Sequence, residues 1–266
     1  MQAGSQPDGE NSGVSPAVRL LVTLATYNER DNLRALSEEI LSKVPFAQLL
    51  VIDDNSPDGT GKLADELKAA DPRIDVIHRS GKLGLGTAML AACKYAFENE
   101  FDFLLNLDAD FSHPPRFIPA ILEGMKRNDV MIGSRYTPGG GTENWPLSRK
   151  IISRSVNLLV RILFGMGVRD ASGAFRCYRV SKLRQAKLER IWSRGYSFQQ
   201  EVLYRCFRAG SKLGETPIIF ENRRAGVSKV NLREAVRSLS MLVFLGIRYR
   251  LGLDHVAKLS LPVLSH

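Results

Sequence analysis

Two aspartates separated by a single alanine, Asp108-Ala109-Asp110, follow the apolar run Phe103 to Leu107. In an extended chain such a pair projects to one side, the two carboxylates a few ångströms apart. Like charges that close repel, so either one carboxyl keeps its proton or a divalent cation neutralises both and shares them with phosphate oxygens, as Mg2+ or Mn2+ does. The competing reading makes them turn or cap residues ahead of Pro114-Pro115. A second acidic cluster, Asp53-Asp54-Asn55-Ser56-Pro57-Asp58-Gly59-Thr60, follows Val51-Ile52. A carboxylate there can accept from a base's ring nitrogen or a ribose hydroxyl. Asp58-Gly59 also reads as a turn and Asp53 as a cap. Thr26-Tyr27-Asn28-Glu29 offers a ring and a carboxylate to the same crevice, or caps a helix.

Other segments narrow the chemistry. The run Gly81-Lys82-Leu83-Gly84-Leu85-Gly86-Thr87 has neither the Gly-Lys-Ser/Thr ending of a phosphate loop nor the third glycine of a dinucleotide fingerprint. It reads as a tight turn into a helix. Arg135, Arg149, Lys150, Arg154, Arg176, Arg223, Arg224 and Lys229 lie in or near Gly/Ser-containing stretches such as Gly133-Ser134-Arg135-Tyr136 and Ser172-Gly173-Ala174-Phe175-Arg176. Guanidinium forks suit phosphate oxygens, although most basic side chains on a surface are merely solvated.

The elements that must position these residues alternate in kind. Short apolar runs at Leu20 to Ala25, Leu49 to Ile52, Ile74 to Ile77, Phe103 to Leu107 and Val130 to Ile132 read as strands. Apolar residues three or four apart predict helices at Asn32 to Lys43, Thr60 to Ala70, Leu85 to Phe97 and Phe117 to Arg127. Alternation of this sort predicts an α/β fold, an open and largely parallel sheet flanked by helices. Ligands bind such sheets outside the carboxyl ends of the strands, where the acidic clusters fall. The later half predicts helices at Arg149 to Phe164, Ser197 to Ala209 and Leu232 to Arg248, with strands at Ala174 to Val180 and Leu213 to Phe220.

A chain of 266 residues with 44% hydrophobic and 24% charged residues has ample material for a core and is not generally disordered. Three widely spaced cysteines, in no paired spacing, argue against a disulfide framework or a structural zinc site, and a reducing compartment is the expectation. Residues 1–145 carry 14 Lys/Arg against 21 Asp/Glu, a net −7, whereas residues 146–250 carry 22 against 6, a net +16. The later half is expected to face something anionic: nucleic acid, a lipid headgroup or a phosphorylated substrate. Residues 1–16 read as a disordered tail, with neither signal nor transit character. No stretch reaches the roughly 20 apolar residues of a membrane span.

Taken together, the segments at 26–29, 53–60, 84–86, 108–110 and 133–136 resemble the inverting GT-A glycosyltransferases of family two. Arg149 to Arg154, Ser172 to Arg176, Gly195 to Glu201 and Arg224 to Lys229 resemble more narrowly the dolichyl-phosphate, or polyprenol-phosphate, mannosyltransferases, and the likeness runs from about Leu20 to Arg250. The resemblance implies a GT-A, Rossmann-like catalytic domain over 17–231, followed over 232–266 by an amphipathic helix and tail. It implies transfer of mannose from GDP-mannose to a polyprenyl monophosphate, with a divalent metal and inversion. Ala25, Tyr27, Glu29, Ile52 and Asp54 would line the nucleoside pocket, Ala25 standing where the family usually has proline. Asp108 and Asp110 would hold Mg2+ or Mn2+ and the diphosphate, Ala109 touching the nucleotide through its backbone. Some members carry glutamine as a further metal ligand where this chain has Ser112. Arg135, Arg223 and Lys229 would bind the donor, and Arg149 and Ser153 the acceptor phosphate.

The acceptor's second ionisation lies near ~6, so it is an anionic nucleophile at neutral pH without a strong general base. Leu232, Val236, Leu239, Val243 and Ile247 recur at helical spacing, which suits either a membrane surface or packing on the sheet. The expected setting is peripheral, on the cytoplasmic face of a membrane, alone or with small membrane-anchored partner subunits. The nearest rival is a glucosyltransferase using UDP-glucose and the same lipid phosphate. More distant are a nucleic-acid-binding module, which lacks its usual motifs, and a nucleotide sensor without turnover.

Overall fold

Seven strands pair into one sheet. They are β1 (Leu20–Thr26), β2 (Gln48–Asp53), β3 (Ile74–His78), β4 (Phe103–Asp108), β5 (Val130–Ser134), β7 (Arg176–Arg179) and β8 (Leu213–Pro217). The computed structural model describes residues 18–193, 195–222 and 232–253, so the tail read over 1–16 and the cations Arg223, Arg224 and Lys229 lie outside the described residues. The strand order is β3-β2-β1-β4-β7-β5-β8. All pairings are parallel except those of β7, which runs antiparallel to both β4 and β5. The open, largely parallel sheet is thus observed, with one reversed strand inside it.

Both faces of the sheet's centre are covered, which is why β1, β2, β4 and β5 read as largely apolar runs. Leu20, Val22, Leu24, Leu49 and Val51 pack with Leu33, Leu36 and Ile40 of α1 (Arg30–Lys43) and Leu67 of α2 (Thr60–Ala70). On the other face Leu21, Leu50 and Ile52 meet Met89 and Ala92 of α3 (Leu85–Glu98). The helix expected over 117–127 is shorter: a 3-10 turn at Pro115–Phe117 leads into α4 (Ile118–Gly124). Gly124 is a weak helix former and lies against Met131, where a Cβ would come within 2.3 Å of its methyl carbon.

In the later half, α5 (Leu147–Phe164) follows the two-residue strand β6 (Gly141–Thr142) and ends at Gly165, whose φ of 67° is the left-handed conformation of a helix stop. Next come α6 (Val180–Gln185) and α7 (Phe198–Arg208). The strand read over 213–220 is two strands. Pro217 has no N–H for the ladder and closes β8, and β9 (Ile219–Phe220) then pairs with β6 in a separate two-stranded sheet. The strand read from Ala174 begins at Arg176, the Ala174 carbonyl being taken by the Asn106 side chain at 3.0 Å. Finally α8 (Leu232–Arg250) lies along α5, and its Leu242, Leu245 and Tyr249 join Phe164 and Tyr204 in one core. Cys93, Cys177 and Cys206 are buried free thiols, and burial pushes Cys206 up to about 12.

Candidate active site

The chain builds outward from β1 to β3, then returns to the other side of β1 with β4, so the strand order reverses between β1 and β4. A crevice opens at such a reversal. Across it Ile52, Ala25 and Asp108 stand in register on three adjacent strands. Tyr27 follows β1, its ring 4.4 Å from the Lys82 ammonium. Glu29 accepts from the Asn32 side chain at 2.9 Å while its own N–H donates to Thr60 Oγ1.

The two acids at the end of β2 behave differently. Asp53 is a turn cap: Thr26 Oγ1 and both the backbone and hydroxyl of Ser56 donate to it. Asp58 likewise holds the turn into α2 through Thr60, as the turn reading expected. Asp54 reaches across instead. Its carboxylate accepts from the backbone N–H groups of Leu83 and Gly84, at 3.1 Å each, and pairs with Arg79 at 2.8 Å. Two amides of the glycine-rich turn are therefore spent on this carboxylate. Gly86, at the start of α3, lets the helix approach Phe198, where a Cβ would be 2.8 Å from the ring.

At the end of β4 the alternation argument fails. The strand stops at Asp108 and the chain turns through Ala109 and Asp110, with Phe111 at a φ of 65°. What projects Asp110 is the turn, and Ser112 N–H donates to its Oδ1 at 3.0 Å. Asp108 keeps a third of its side chain exposed, whereas Asp110 is buried. His113 lies beneath them, its Nδ1 accepting from the Asp108 N–H at 3.1 Å. Burial pulls its pKa below the ordinary value, although both carboxylates pull upward.

Among the described residues no three His, Cys, Asp or Glu side chains converge on one point. Asp108 and Asp110 nevertheless fit a hard cation. Mg2+ is commonly held by one or two carboxylates plus substrate phosphates, and beside them the buried Ser112 hydroxyl has no hydrogen-bond partner.

The end of β5 carries a buried ion pair. Arg135 follows β5, and its guanidinium grips both oxygens of Asp170 at 2.7 Å while also donating to Ser172 Oγ at 2.7 Å. The rings of Tyr136, Trp145 and Phe220 surround it at 5.3, 5.5 and 5.7 Å. Arg135 also feels the charge of Asp108. Tyr136 donates its hydroxyl proton to Ser153 Oγ at 2.6 Å, and Arg149 stacks on Trp145 at 3.7 Å. Ala25, Ile52, Asp108, Arg135 and Ser153 are thus drawn towards one end of the sheet, while Arg223 and Lys229 lie outside the described residues.

Arg176 does not join them. It is fully buried in β7 and donates to the carbonyls of Gln199 and Ala171 at 2.6 Å each. Three residues outside the quoted motifs hold the site together. Asp170 fixes Arg135. His113 supports the Asp108 turn. Asn157 donates to Ser153 O and Ser172 Oγ and accepts from the Ala171 N–H. Glu201, at the end of the 195–201 motif, is instead fully buried and accepts from the Trp192 and Ser193 N–H groups and from Arg205. The available signal for Asp170 was its place two residues before Ser172-Gly173, where an aspartate caps a turn.

Residues 22–186 match the family described as Glycosyl transferase family 2. The chain is 41% identical over 254 residues to polyprenol monophosphomannose synthase of Mycolicibacterium smegmatis, covering 94% of this chain and 93% of that one. It is 40% identical over 243 residues to undecaprenyl-phosphate mannosyltransferase of Micrococcus luteus, covering 89% of this chain and 100% of that one. Its fold is similar to that of mannosyl-3-phosphoglycerate synthase from Rubrobacter xylanophilus, with a TM-score of 0.60 at 19% identity, covering 93% and 79% of the two chains. It is also similar to that of glucosyl-3-phosphoglycerate synthase from Mycobacterium tuberculosis in complex with Mn2+, UDP and glucosyl-3-phosphoglycerate, with a TM-score of 0.59 at 18% identity, covering 89% and 81%.

Proposed function

The chain is a member of glycosyltransferase family 2, and from that premise we propose that it transfers mannose from GDP-mannose to a polyprenyl monophosphate with inversion, releasing GDP. Its likeness to polyprenyl-phosphate mannosyltransferases over nearly the whole chain supports the reaction class. The observation that carries the reading is the meeting of two chemistries at one end of the sheet. The Ile52–Ala25–Asp108 row is suited to a nucleotide, and across from it lies the Arg135–Tyr136–Ser153 group, suited to phosphate.

Ala25, Tyr27, Glu29, Ile52 and Asp54 receive the nucleoside, with the Ala109 backbone against it. Asp108 and Asp110 are the residues that would hold Mg2+ or Mn2+, which when bound would neutralise the departing diphosphate. Arg135, with Arg223 and Lys229, binds the donor's phosphates. Arg149 and Ser153 hold the acceptor phosphate; because Tyr136 donates to Ser153 Oγ, the serine's own proton is left for a phosphate oxygen. The phosphate dianion attacks the anomeric carbon in line, the anomeric bond to the diphosphate breaks, and configuration inverts. Residues 17–231 carry the catalysis, while 232–266 meet the membrane surface or small membrane-anchored subunits on its cytoplasmic face, and no nucleic acid takes part.

Incubating the chain with polyprenyl phosphate and either labelled GDP-mannose or labelled UDP-glucose tests the reading. Mannose from GDP-mannose should enter the lipid fraction as a β-linked phosphodiester, chelator should stop it, and Asp110→Ala should abolish it. An α-linked product, a mannosyl-enzyme, or glucose transfer alone would overturn the proposal.

A further inference from the structure

Trp145, just ahead of α5, is only 7% exposed, and its buried indole Nε1 finds no hydrogen-bond acceptor among the described residues. An indole N–H can only donate, and a buried donor left without an acceptor is costly. The side chains packed on its ring do not supply one. Phe220 meets the ring edge-on, with centroids 5.2 Å apart. The Arg149 guanidinium lies over the ring, 3.7 Å from its centroid, and that of Arg135 stands at 5.5 Å. Arginine carries donors and no acceptor, and phenylalanine carries neither. Three groups that only donate thus meet at one place, and what complements such a place is an anion with several acceptor oxygens.

The fold fixes the ring from the other side. Phe220 is held beside it by the pairing of β6 with β9, where Thr142 stands opposite Phe220 and the Glu143 N–H donates to the Phe220 carbonyl at 2.8 Å. Phe220 in turn packs edge-on against His113, with 5.2 Å between centroids, and the Glu221 N–H donates to the Ser112 carbonyl. A chain of ring contacts therefore runs from the Asp108–Asp110 turn through His113, Phe220 and Trp145 to Arg149. Of the two guanidinium groups, that of Arg135 is committed to both oxygens of Asp170, so the nearer Arg149 decides which phosphate comes to the indole. We infer that Trp145 is a further acceptor-binding residue, its N–H donating to the phosphate that Arg149 and Ser153 hold; this rests on the polyprenyl phosphate reading above. Arg149 leaves the ring for that phosphate, and one phosphate oxygen pairs with the uncovered N–H.

Trp145 and Trp192 are the chain's two tryptophans. In the NMR spectrum of isotopically labelled protein, the indole N–H signal that survives Trp192→Phe therefore belongs to Trp145. Titration with geranyl phosphate, a short prenyl monophosphate, should move that signal downfield. Inorganic phosphate should do so only at higher concentration, and GDP should leave it in place. Trp145→Phe keeps a ring against Arg149 but has no N–H, and should raise the KM for polyprenyl phosphate at least ~10-fold with little change in the KM for GDP-mannose. A signal that geranyl phosphate leaves unmoved, that inorganic phosphate moves as readily, or that GDP moves instead would overturn the inference. So would an unaltered acceptor KM in Trp145→Phe; should that variant fail to fold, the titration of the Trp192→Phe chain decides alone. A downfield shift with geranyl phosphate supports the contact even if the wild type transfers no mannose to any lipid phosphate; that last result would overturn the reaction alone.

Discussion

Arg135 donates from Nε and Nη2 to the two oxygens of Asp170, and its backbone N–H donates to the same carboxylate. A guanidinium held at both prongs is already ordered when a diphosphate arrives, which lowers the entropy that binding must supply. Burial alone would raise the Asp170 pKa. Arg135 beside it, helped by Arg176, instead brings it down to about 2. A carboxyl depressed in the folded state stabilises the fold above its unfolded pKa of about 4, and that contribution fades as pH falls towards 2. The depression corresponds to about 2 kcal/mol. Asp170→Asn should therefore flatten the loss of unfolding free energy between about pH 4 and pH 2. At neutral pH it should cost about 3–5 kcal/mol, because it leaves a buried guanidinium uncompensated. Urea titrations across pH check both, and an acid slope equal to that of the wild type would refute the assignment.

Among elements, β1 to β5 and α1 to α3 were legible because burial on both sheet faces gives apolar runs and one-sided packing gives helical spacing. β1 and α1 show the two patterns. Arg176 misled for the same reason: in a strand buried on both faces no alternation separates a phosphate fork from a core residue. Asn157 was invisible because its partners lie 4, 14 and 15 residues away and only the fold unites them. Its carboxamide bolts α5, which the proposed function makes the acceptor helix, to the 170–173 turn that holds Arg135. Asn157→Ala should leave the Ala171 N–H without its partner and let α5 shift. The KM for polyprenyl phosphate should rise about tenfold, with a smaller change for GDP-mannose. Steady-state kinetics on both substrates decide; equal effects on the two would point to a general loss of structure.

For the molecule as a whole, the sign of charge follows the order of the chain. Residues 1–145, at net −7, supply the sheet end with the acidic clusters, and residues 146–250, at net +16, supply α5 and α8. On the proposed reaction, that excess of cations in the later half draws the chain towards an anionic membrane carrying the acceptor, over about 8–10 Å at moderate salt. No described helix is long and apolar enough to cross a membrane. Added sodium chloride should therefore lower the initial rate on polyprenyl phosphate in anionic vesicles, while the rate on the same acceptor in neutral vesicles, where only apolar burial acts, stays nearly constant. Equal salt sensitivity in both would mean that the charge acts within the site, on the substrate phosphates, and not on the approach to the bilayer.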